Sequence, residues 1–229
     1  SIHDLTFRAE QSGQALIQGR IYVTGKANLY GLEMRNAAGN VVELAEGAQA
    51  LLSGLYLHHS AAGYPLIYAG PNARLRVEHS RLADTPGHGL AAVDAARCWF
   101  VDCSFANAPS FLGAARAGTL VSAQNCAFEN SAESAIFAME GAELVLDDIR
   151  VSRSAKEGVM LRTGSSARLT NVQMDGIQSN ALDVQGGSRL TAENGAITNC
   201  TDPCVLARDA GSVASVSDFK FDRNATNIV

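Results

Sequence analysis

The chain has few aromatic residues. They make up 6% of its 229 residues, although hydrophobic residues account for 47%. A core of small and aliphatic side chains is more typical of a solenoid of stacked coils than of a β-sandwich packed around tryptophan and tyrosine. An excess of basic residues is also lacking, and the formal charge of -5 argues against nucleic acid, which requires a basic surface. Because no run of about 18 apolar residues is present, we expect no membrane span.

Cysteine is scarce, and its count of five leaves one thiol unpaired in any scheme of disulfides within the chain. Cys98, Cys103 and Cys126 fall at places that the repeat described below turns inward, so we interpret them as small buried apolar groups. Cys200 and Cys204 lie in one predicted turn, where a local disulfide stays open. Since no second cysteine pair or histidine cluster accompanies them, we predict no metal site and no cofactor. The redox compartment and the localisation stay open.

A repeat of 23 residues runs through the chain. Each unit holds three short stretches that alternate apolar and polar residues, with inward places at repeat positions 3 and 5, 8 and 10, and 18 and 20. In one unit these places hold Leu144/Leu146, Ile149/Val151 and Val159/Leu161. The units are 25–47, 48–72 (longer by two), 73–95, 96–118, 119–141, 142–164, 165–187 and 188–211 (longer by one), between less regular ends. The pattern predicts about nine to ten coils of three strands each.

Position 7 of the units nearly always holds Gly, Asn or Asp, the types that tolerate a left-handed backbone. The residues there are Asp4, Gly31, Gly54, His79, Asp102, Asn125, Asp148, Asn171, Asn194 and Asp218. A two-residue elbow between the first two strands of a coil requires such a residue, and stacked Asn or Asp side chains can bond its backbone.

This ladder of Asn125, Asn171 and Asn194 with Asp102, Asp148 and Asp218 resembles that of the right-handed parallel β-helix proteins. That group comprises the pectate-lyase-like superfamily and the repeat domains of carbohydrate-binding and sugar-hydrolysing proteins. The resemblance covers nearly the whole chain and implies an all-β fold, a single-stranded right-handed parallel β-helix. Handedness follows from the resemblance and from the general crossover rule. A leucine-rich repeat and a left-handed β-helix are disfavoured, because their LxxLxL and hexapeptide signatures are absent.

We expect residues 1-229 to form one β-helix domain. Ser1 and the final residues Asn227, Ile228 and Val229 fall inside strands in this register, and no amphipathic helix flanks either end. Terminal coils of a solenoid expose apolar surface and strand edges unless they are capped. We therefore expect the domain to be a fragment of a larger chain or to be capped by another subunit.

The resemblance implies that an enzyme of this superfamily would act on a polysaccharide in a groove over one parallel sheet. The outward residues of the third strands, at positions 19 and 21, are therefore the candidates. Glu43 and Asp183 are six coils apart there, about 29 Å, which is too far for the paired carboxylates of a glycosidase. The loops of about six residues predict no deep cleft. The motif sets of polygalacturonases and alginate epimerases are not met, so we predict no catalytic residue.

The same face combines apolar side chains with arginine, the composition typical of a protein interface core. Three occupants stay open: a covering segment or second copy of the chain, a partner protein, and a glycan. The candidate binding residues are Tyr68, Val93, Arg116, Phe137, Met139, Met160, Arg162, Asp183, Leu206 and Arg208.

From this face we predict a non-catalytic interaction or scaffold module. It would present a flat parallel sheet to a protein partner or to a second copy, with Phe137, Met139 and Met160 as anchors. The alternative is a carbohydrate-active protein, whether a binding protein, lyase, epimerase or hydrolase. It would take an acidic polysaccharide through Arg116, Arg162 and Asp183.

Two smaller features lie elsewhere. Arginines on the outside of the first strands leave a polyanion track open, although Glu78, Glu143 and Glu193 interrupt it, and the sole tryptophan, Trp99, points outward among them. We expect His58 and His59 to lie in the one lengthened loop, beside Asp84 of the next coil, and we favour a solvated loop there over a metal site.

Overall fold

The computed structural model describes residues 5–10 and 15–228 as one stack of about ten coils. Equivalent strands of neighbouring coils pair in parallel, and in the regular coils they are 23 residues apart, as Leu144 is from Val121 on one side and Ala167 on the other. The described residues contain no helix that could cross a membrane. The predicted parallel β-helix with three strands per coil is confirmed. The terminal positions Ser1 and Val229 lie outside the described residues.

The first five coils have three separate strands each. They contain β1 (Leu5–Arg8), β2 (Ala15–Gln18), β3 (Ile21–Val23), β4 (Lys26–Tyr30), β5 (Leu32–Asn36), β6 (Val42–Leu44), β7 (Gln49–Ser53), β8 (Tyr56–Ser60), β9 (Ile67–Ala69), β10 (Arg74–Glu78), β11 (Arg81–Ala83), β12 (Leu90–Val93), β13 (Arg97–Val101), β14 (Ser104–Ala108) and β15 (Leu112–Ala115).

In the later coils the first and second strands run together across the elbow. These coils contain β16 (Leu120–Ser131), β17 (Ile136–Met139), β18 (Glu143–Ser154), β19 (Val159–Leu161), β20 (Ser166–Ile177), β21 (Leu182–Val184), β22 (Arg189–Thr198), β23 (Pro203–Ala207), β24 (Val213–Asp222) and β25 (Thr226–Ile228). First and second strands thus share one bent sheet of 15 strands, whereas the third strands form a separate sheet of 10.

The elbow has the predicted left-handed backbone. The φ angles of Asp102, Asn125 and Asp148 are 54°, 51° and 50°. Asn125 Nδ2 donates to Asp102 Oδ1 at 2.6 Å, so the side chains also link neighbouring coils. These contacts confirm the ladder.

A second left-handed ladder, which the sequence analysis does not predict, follows the second strand. Asp84, Asn107 and Asn130 have φ angles of 54°, 53° and 65°. Asn107 Nδ2 donates to Asp84 Oδ1 at 2.6 Å, and Asn130 Nδ2 donates to Asn107 Oδ1 at 2.8 Å. The chain therefore turns sharply at both ends of the second strand.

The core lies between the sheets and is mostly aliphatic. Its few rings are gathered in adjacent coils, where Phe105 stacks on Phe128 with centroids 4.8 Å apart and contacts Phe100 edge-on at 5.4 Å. All five cysteines are buried free thiols, so the disulfide left open between Cys200 and Cys204 is not formed. Burial raises the pKa of Cys200 to about 12.

Strand β15 departs from the repeat by one residue. Leu112 and Ala114 point inward, and Gly113 takes the outward place in register with Ala91 and Phe137. Ala115, rather than Arg116, therefore pairs with Met139, and Arg116 lies in the following turn with a φ of 74°. The shift places a leucine instead of a glycine in the core, which gains apolar burial.

Candidate functional site

The outward side chains of the third strands form one continuous column across the ten-stranded sheet. Neighbouring coils bring each residue directly beside the next. In order the column holds Tyr22, Glu43, Tyr68, Ala91, Gly113, Phe137, Met160, Asp183 and Leu206. This column is the floor of the predicted face, and five of the ten predicted binding residues belong to it: Tyr68, Phe137, Met160, Asp183 and Leu206.

At one end of this column the floor has walls. The walls are segments 36–40 and 63–65, and with the floor they enclose a cleft of about 860 Å³. Arg20, Asn40, Glu43, Tyr64 and Tyr68 line it, and these five residues are called the third-strand cleft below. The loops were expected to be too short to form a deep cleft. The unit 48–72 is the exception, because its extra residues fall between β8 and β9 and carry Tyr64.

A cluster of three polar side chains is held together on the floor of the third-strand cleft. Arg20 Nη1 lies 2.8 Å from Glu43 Oε2, and Asn40 Nδ2 donates to the same oxygen at 3.2 Å. The Asn40 Oδ1 atom is buried and has no hydrogen-bond partner among the described residues. Glu43 therefore orients one donor side chain on each side of itself, and Asn40 keeps one acceptor unused.

Tyrosine rings stand beside this group. Tyr68 is next to Glu43 in register and half-buried, whereas the Tyr64 side chain on the wall is 51% exposed. The Arg20 guanidinium also lies over the ring of Tyr22, 5.5 Å from its centroid. The third-strand cleft thus joins ring faces to charged and amide hydrogen-bonding groups.

Local contacts hold both walls in place. Ser60 Oγ donates to the Tyr64 carbonyl at 2.6 Å, and a Cβ atom at Gly87 of the next coil would lie 1.7 Å from that carbonyl oxygen. Glycine at position 87 therefore lets the Tyr64 wall approach its neighbour. On the other wall, Asn36 Nδ2 donates to the Asn40 carbonyl at 2.7 Å.

Of the ten predicted binding residues, Tyr68 lies in the third-strand cleft. Six others lie on later third strands, and the three arginines follow the ends of such strands. Val93, Phe137 and Met139 are half-buried on its outer surface. Phe137 covers Gly113, where a Cβ atom would be 2.5 Å from its ring. Its ring also meets His88 edge-on, with centroids 6.3 Å apart.

Two predicted residues are not accessible. Met160 is 7% exposed and Asp183 is 0% exposed, so the expectation that both present side chains to a ligand is wrong. Both point outward by register, but other side chains cover them. Ser134 Oγ lies 3.8 Å from Met160 Sδ, and Gln185 donates to Asp183.

The predicted arginines differ in how far they are engaged. Arg116 forms two hydrogen bonds to Asp94, of 2.6 and 2.9 Å, and Arg208 Nη2 lies 3.1 Å from Asp183 Oδ2. The Asp94 hydrogen bond raises the pKa of Arg116. Arg162 is exposed, and Leu206 is half-buried beside Asp183. Arg116 and Arg208 therefore already have carboxylate partners in the chain.

The repeat pattern does not single out Arg20, Asn40 or Tyr64 as site residues. The available signal was the length of the unit 48–72, whose two extra residues lie over the third-strand face. Asn40 gave no signal, because its contact with Glu43 depends on the path of the loop before β6.

His58 and His59 lie in strand β8 and not in the lengthened loop, which corrects their expected position. His58 Nε2 is 3.0 Å from Glu33 Oε1, and the Tyr56 hydroxyl donates to Asp84 Oδ2 at 2.8 Å. Burial and the Asp84 hydrogen bond raise the pKa of Tyr56. Within the described ranges, no group of three or more His, Cys, Asp or Glu is placed to hold a metal ion.

Comparison with known proteins identifies the architecture. The family model for the right-handed beta helix region matches residues 65–225. No curated protein matches the chain. One similar solved structure is the catalytic domain of a GH87 alpha-1,3-glucanase in complex with tetrasaccharides, with 10% identity and a TM-score of 0.45. The match covers 99% of this chain and 66% of that chain, so this chain spans less than two thirds of it.

Two further solved structures are similar to this chain. The catalytic unit of a GH87 alpha-1,3-glucanase from Streptomyces thermodiastaticus is 11% identical, with 95% of this chain and 59% of that chain covered and a TM-score of 0.35. The A-module of the mannuronan C-5 epimerase from Azotobacter vinelandii is 11% identical, with 93% and 86% covered and a TM-score of 0.24.

Proposed function

The chain belongs to the right-handed β-helix family, and from that premise we propose that it binds a segment of a polysaccharide in the third-strand cleft. The observation that carries the proposal is the pairing of ring faces with a fixed polar group. Tyr64 and Tyr68 flank the cleft, and Arg20 and Asn40 both donate to Glu43 at its floor.

Sugars present two kinds of surface to a protein, and the third-strand cleft can meet both. An aromatic ring packs against the apolar C–H face of a sugar, while the tyrosine hydroxyl remains free to form a hydrogen bond. Sugar hydroxyls both donate and accept. Arg20 supplies donors beyond the one that Glu43 accepts, and the Glu43 carboxylate has further acceptor positions.

The size of the cleft is in keeping with a bound ligand. Its volume of about 860 Å³ falls within the range typical of ligand sites, roughly 300–1,000 Å³. Glycoside hydrolysis uses two carboxylates, and Glu43 is the one carboxylate among the described residues that line the cleft. The proposal is therefore confined to binding.

The proposal replaces the first interpretation of this sheet as a protein-contact surface. Of the three expected anchors, Met160 is buried, which reduces the apolar patch to Phe137 and Met139. Support for an acidic polysaccharide over the middle of the sheet is also reduced, because Arg116 is engaged by Asp94.

The test is a panel of soluble neutral and acidic polysaccharides against the purified protein, read by calorimetry and by retardation in affinity gels. Tyr64→Ala and Tyr68→Ala should each weaken binding about tenfold, or ~1.4 kcal/mol, through loss of ring contact. Tyr30→Ala is the matched control, because it removes a half-buried tyrosine from the other sheet.

Binding that is unchanged in both cleft variants, or equally weakened by Tyr30→Ala, would contradict the proposal. Absence of binding across the whole panel would contradict it as well. Circular dichroism of each variant establishes that the coils remain folded.

A further inference from the structure

A second surface suited to a ligand lies on the outside of the first strands, on the other sheet. Strands β4, β7, β10 and β13 pair in register there and present eight outward side chains at their first and third residues. Two of these are amides, and none is a carboxylate. The remaining six are Lys26, Leu51, Arg74, Arg76, Arg97 and Trp99, which are called the Trp99 strip below.

The charge of the Trp99 strip differs from that of the protein. The chain carries a formal charge of -5, yet four of these eight positions are cationic. Arg76 contacts Glu78, whereas Lys26, Arg74 and Arg97 form no ion pair with a described residue. Their charges are therefore available to an external anion, because no carboxylate of the described chain neutralises them.

Trp99 supplies the apolar contact. It is the sole tryptophan of the chain, it is half-buried, and it lies beside Arg76 in register. Its indole N–H has no hydrogen-bond partner among the described residues. Together with Leu51 it lines a depression of about 440 Å³, which Lys26, Arg74 and Arg76 border. An aromatic ring with an unused donor beside free cations is suited to an anionic sugar, whose face can stack while its carboxylate binds.

The spacing of the cations follows the coils. Arg74 and Arg97 occupy the same place on adjacent coils, about 4.8 Å apart at the backbone, and Lys26 lies two coils before Arg74. The row from Lys26 to Arg97 thus covers about 14 Å along the stack. A linear chain of acidic sugars running parallel to the stack would present its carboxylates to one residue row after another. Arginine binds such carboxylates with two parallel hydrogen bonds.

We propose that the Trp99 strip is a second binding site, which takes a polysaccharide with carboxylate-bearing sugars, a uronate polymer. The proposal goes beyond the third-strand cleft, because it concerns another sheet and other residues. Single-stranded nucleic acid fits less well, since it is held on successive aromatic platforms and this surface offers a single ring.

Trp99 provides its own readout, because no other tryptophan contributes to the fluorescence. The purified protein is titrated with oligogalacturonate, with oligomannuronate and with a neutral gluco-oligosaccharide of the same length. The acidic oligomers should change the Trp99 emission with saturation, and their affinity should fall as salt rises, because salt screens exposed charges.

The charge variant is Arg74→Ala with Arg97→Ala, which should weaken binding at least about tenfold. Its matched control is Arg168→Ala with Arg189→Ala. That control removes the same charge from outward places farther along the same sheet, Arg189 in the row of Arg97 and Arg168 in the row of Trp99, and should change the affinity less than about twofold. Trp99→Ala, followed by calorimetry, should weaken binding by a similar factor to the charge variant.

Several results would overturn the proposal. One is that neither uronate oligomer changes the Trp99 emission, and another is that the charge variant and its control lose the same affinity. A third is that the neutral oligomer, or an oligonucleotide of the same charge, binds as tightly as the uronate oligomers. Tyr64→Ala separates the two proposals: it should leave the Trp99 signal unchanged, and loss of that signal would assign uronate binding to the third-strand cleft instead.

Discussion

At the scale of single residues, the polar side chains act mainly through partners one coil away. Asp84 accepts a hydrogen bond from Asn107 of the next coil at 2.6 Å and from Tyr56 of the previous coil at 2.8 Å. These two bonds, with Asn107 the stronger influence, lower the pKa of Asp84. The carboxylate form therefore ties three coils together.

We predict that Asp84→Asn lowers the free energy of unfolding by about 1 kcal/mol at neutral pH, because the amide accepts these bonds less strongly. The pKa of Asp84 is lower in the folded protein, so its contribution is present above the unfolded value near 4 and is lost as the pH falls through the folded value. The difference between variant and parent should accordingly shrink below about pH 4. Urea unfolding at several pH values measures it.

The exposed Asp202 provides the control for this prediction. Asp202→Asn should leave the stability at neutral pH nearly unchanged. A constant difference between Asp84→Asn and the parent down to pH 3 would contradict the assigned role of the carboxylate.

At the scale of structural elements, the elbow between the first and second strands depends on a left-handed residue. Asn125 sits there with a φ of 51° inside the continuous strand β16, and it donates to Asp102 of the preceding coil. A residue with a Cβ atom is strained in this conformation unless its side chain forms a local hydrogen bond. The ladder thus decides where each long strand bends.

We predict that Asn125→Ala destabilises the protein by about 1–2 kcal/mol, and that Asn125→Gly destabilises it less, since glycine adopts a positive φ without strain. The neighbouring exposed residue Gln124 has extended backbone, so there the order should be reversed, with Gly worse than Ala. Thermal unfolding of the four variants shows, at each of the two positions, whether the alanine or the glycine variant is the less stable. The same order at both positions would contradict the backbone argument.

Strand β15 illustrates what the repeat alone could not predict at this scale. The 23-residue spacing places position 18 of the unit 96–118 at Gly113, but the core gains more from Leu112, so the strand moves by one residue. Arg116 consequently leaves the sheet for the turn beside Asp94. Counting along the chain identifies the strand, and packing selects its register.

At the scale of the whole molecule, a solenoid holds each coil through its two neighbours. Leu146 of β18 is 0% exposed and lies between Ala123 and Leu169 of the adjacent coils. Both proposed binding surfaces are carried by this stack, the third-strand cleft on the ten-stranded sheet and the Trp99 strip on the other. The stability of the central coils therefore supports both surfaces.

We predict that Leu146→Ala lowers the free energy of unfolding by about 2–5 kcal/mol, the usual range for a buried leucine truncated in a packed core. Val145→Ala is the control, because this adjacent side chain points outward and is half-buried; its cost should be below about 1 kcal/mol. Urea unfolding measures both. Equal losses would contradict the inward and outward assignment of β18.

The sequence by itself determined the architecture: three strands per coil, the 23-residue period and the left-handed elbow of Asn and Asp. It could do so because each coil repeats the same local pattern, and each coil needs only its neighbours to bury that pattern. The tertiary structure decided which of the outward side chains are accessible. Met160 and Asp183 point outward like Tyr68, yet they are covered, while Asn40 and Tyr64 reach the cleft from loops. Exposure depends on loops and side chains of neighbouring coils, about 23 residues away, and a periodic pattern does not encode those contacts.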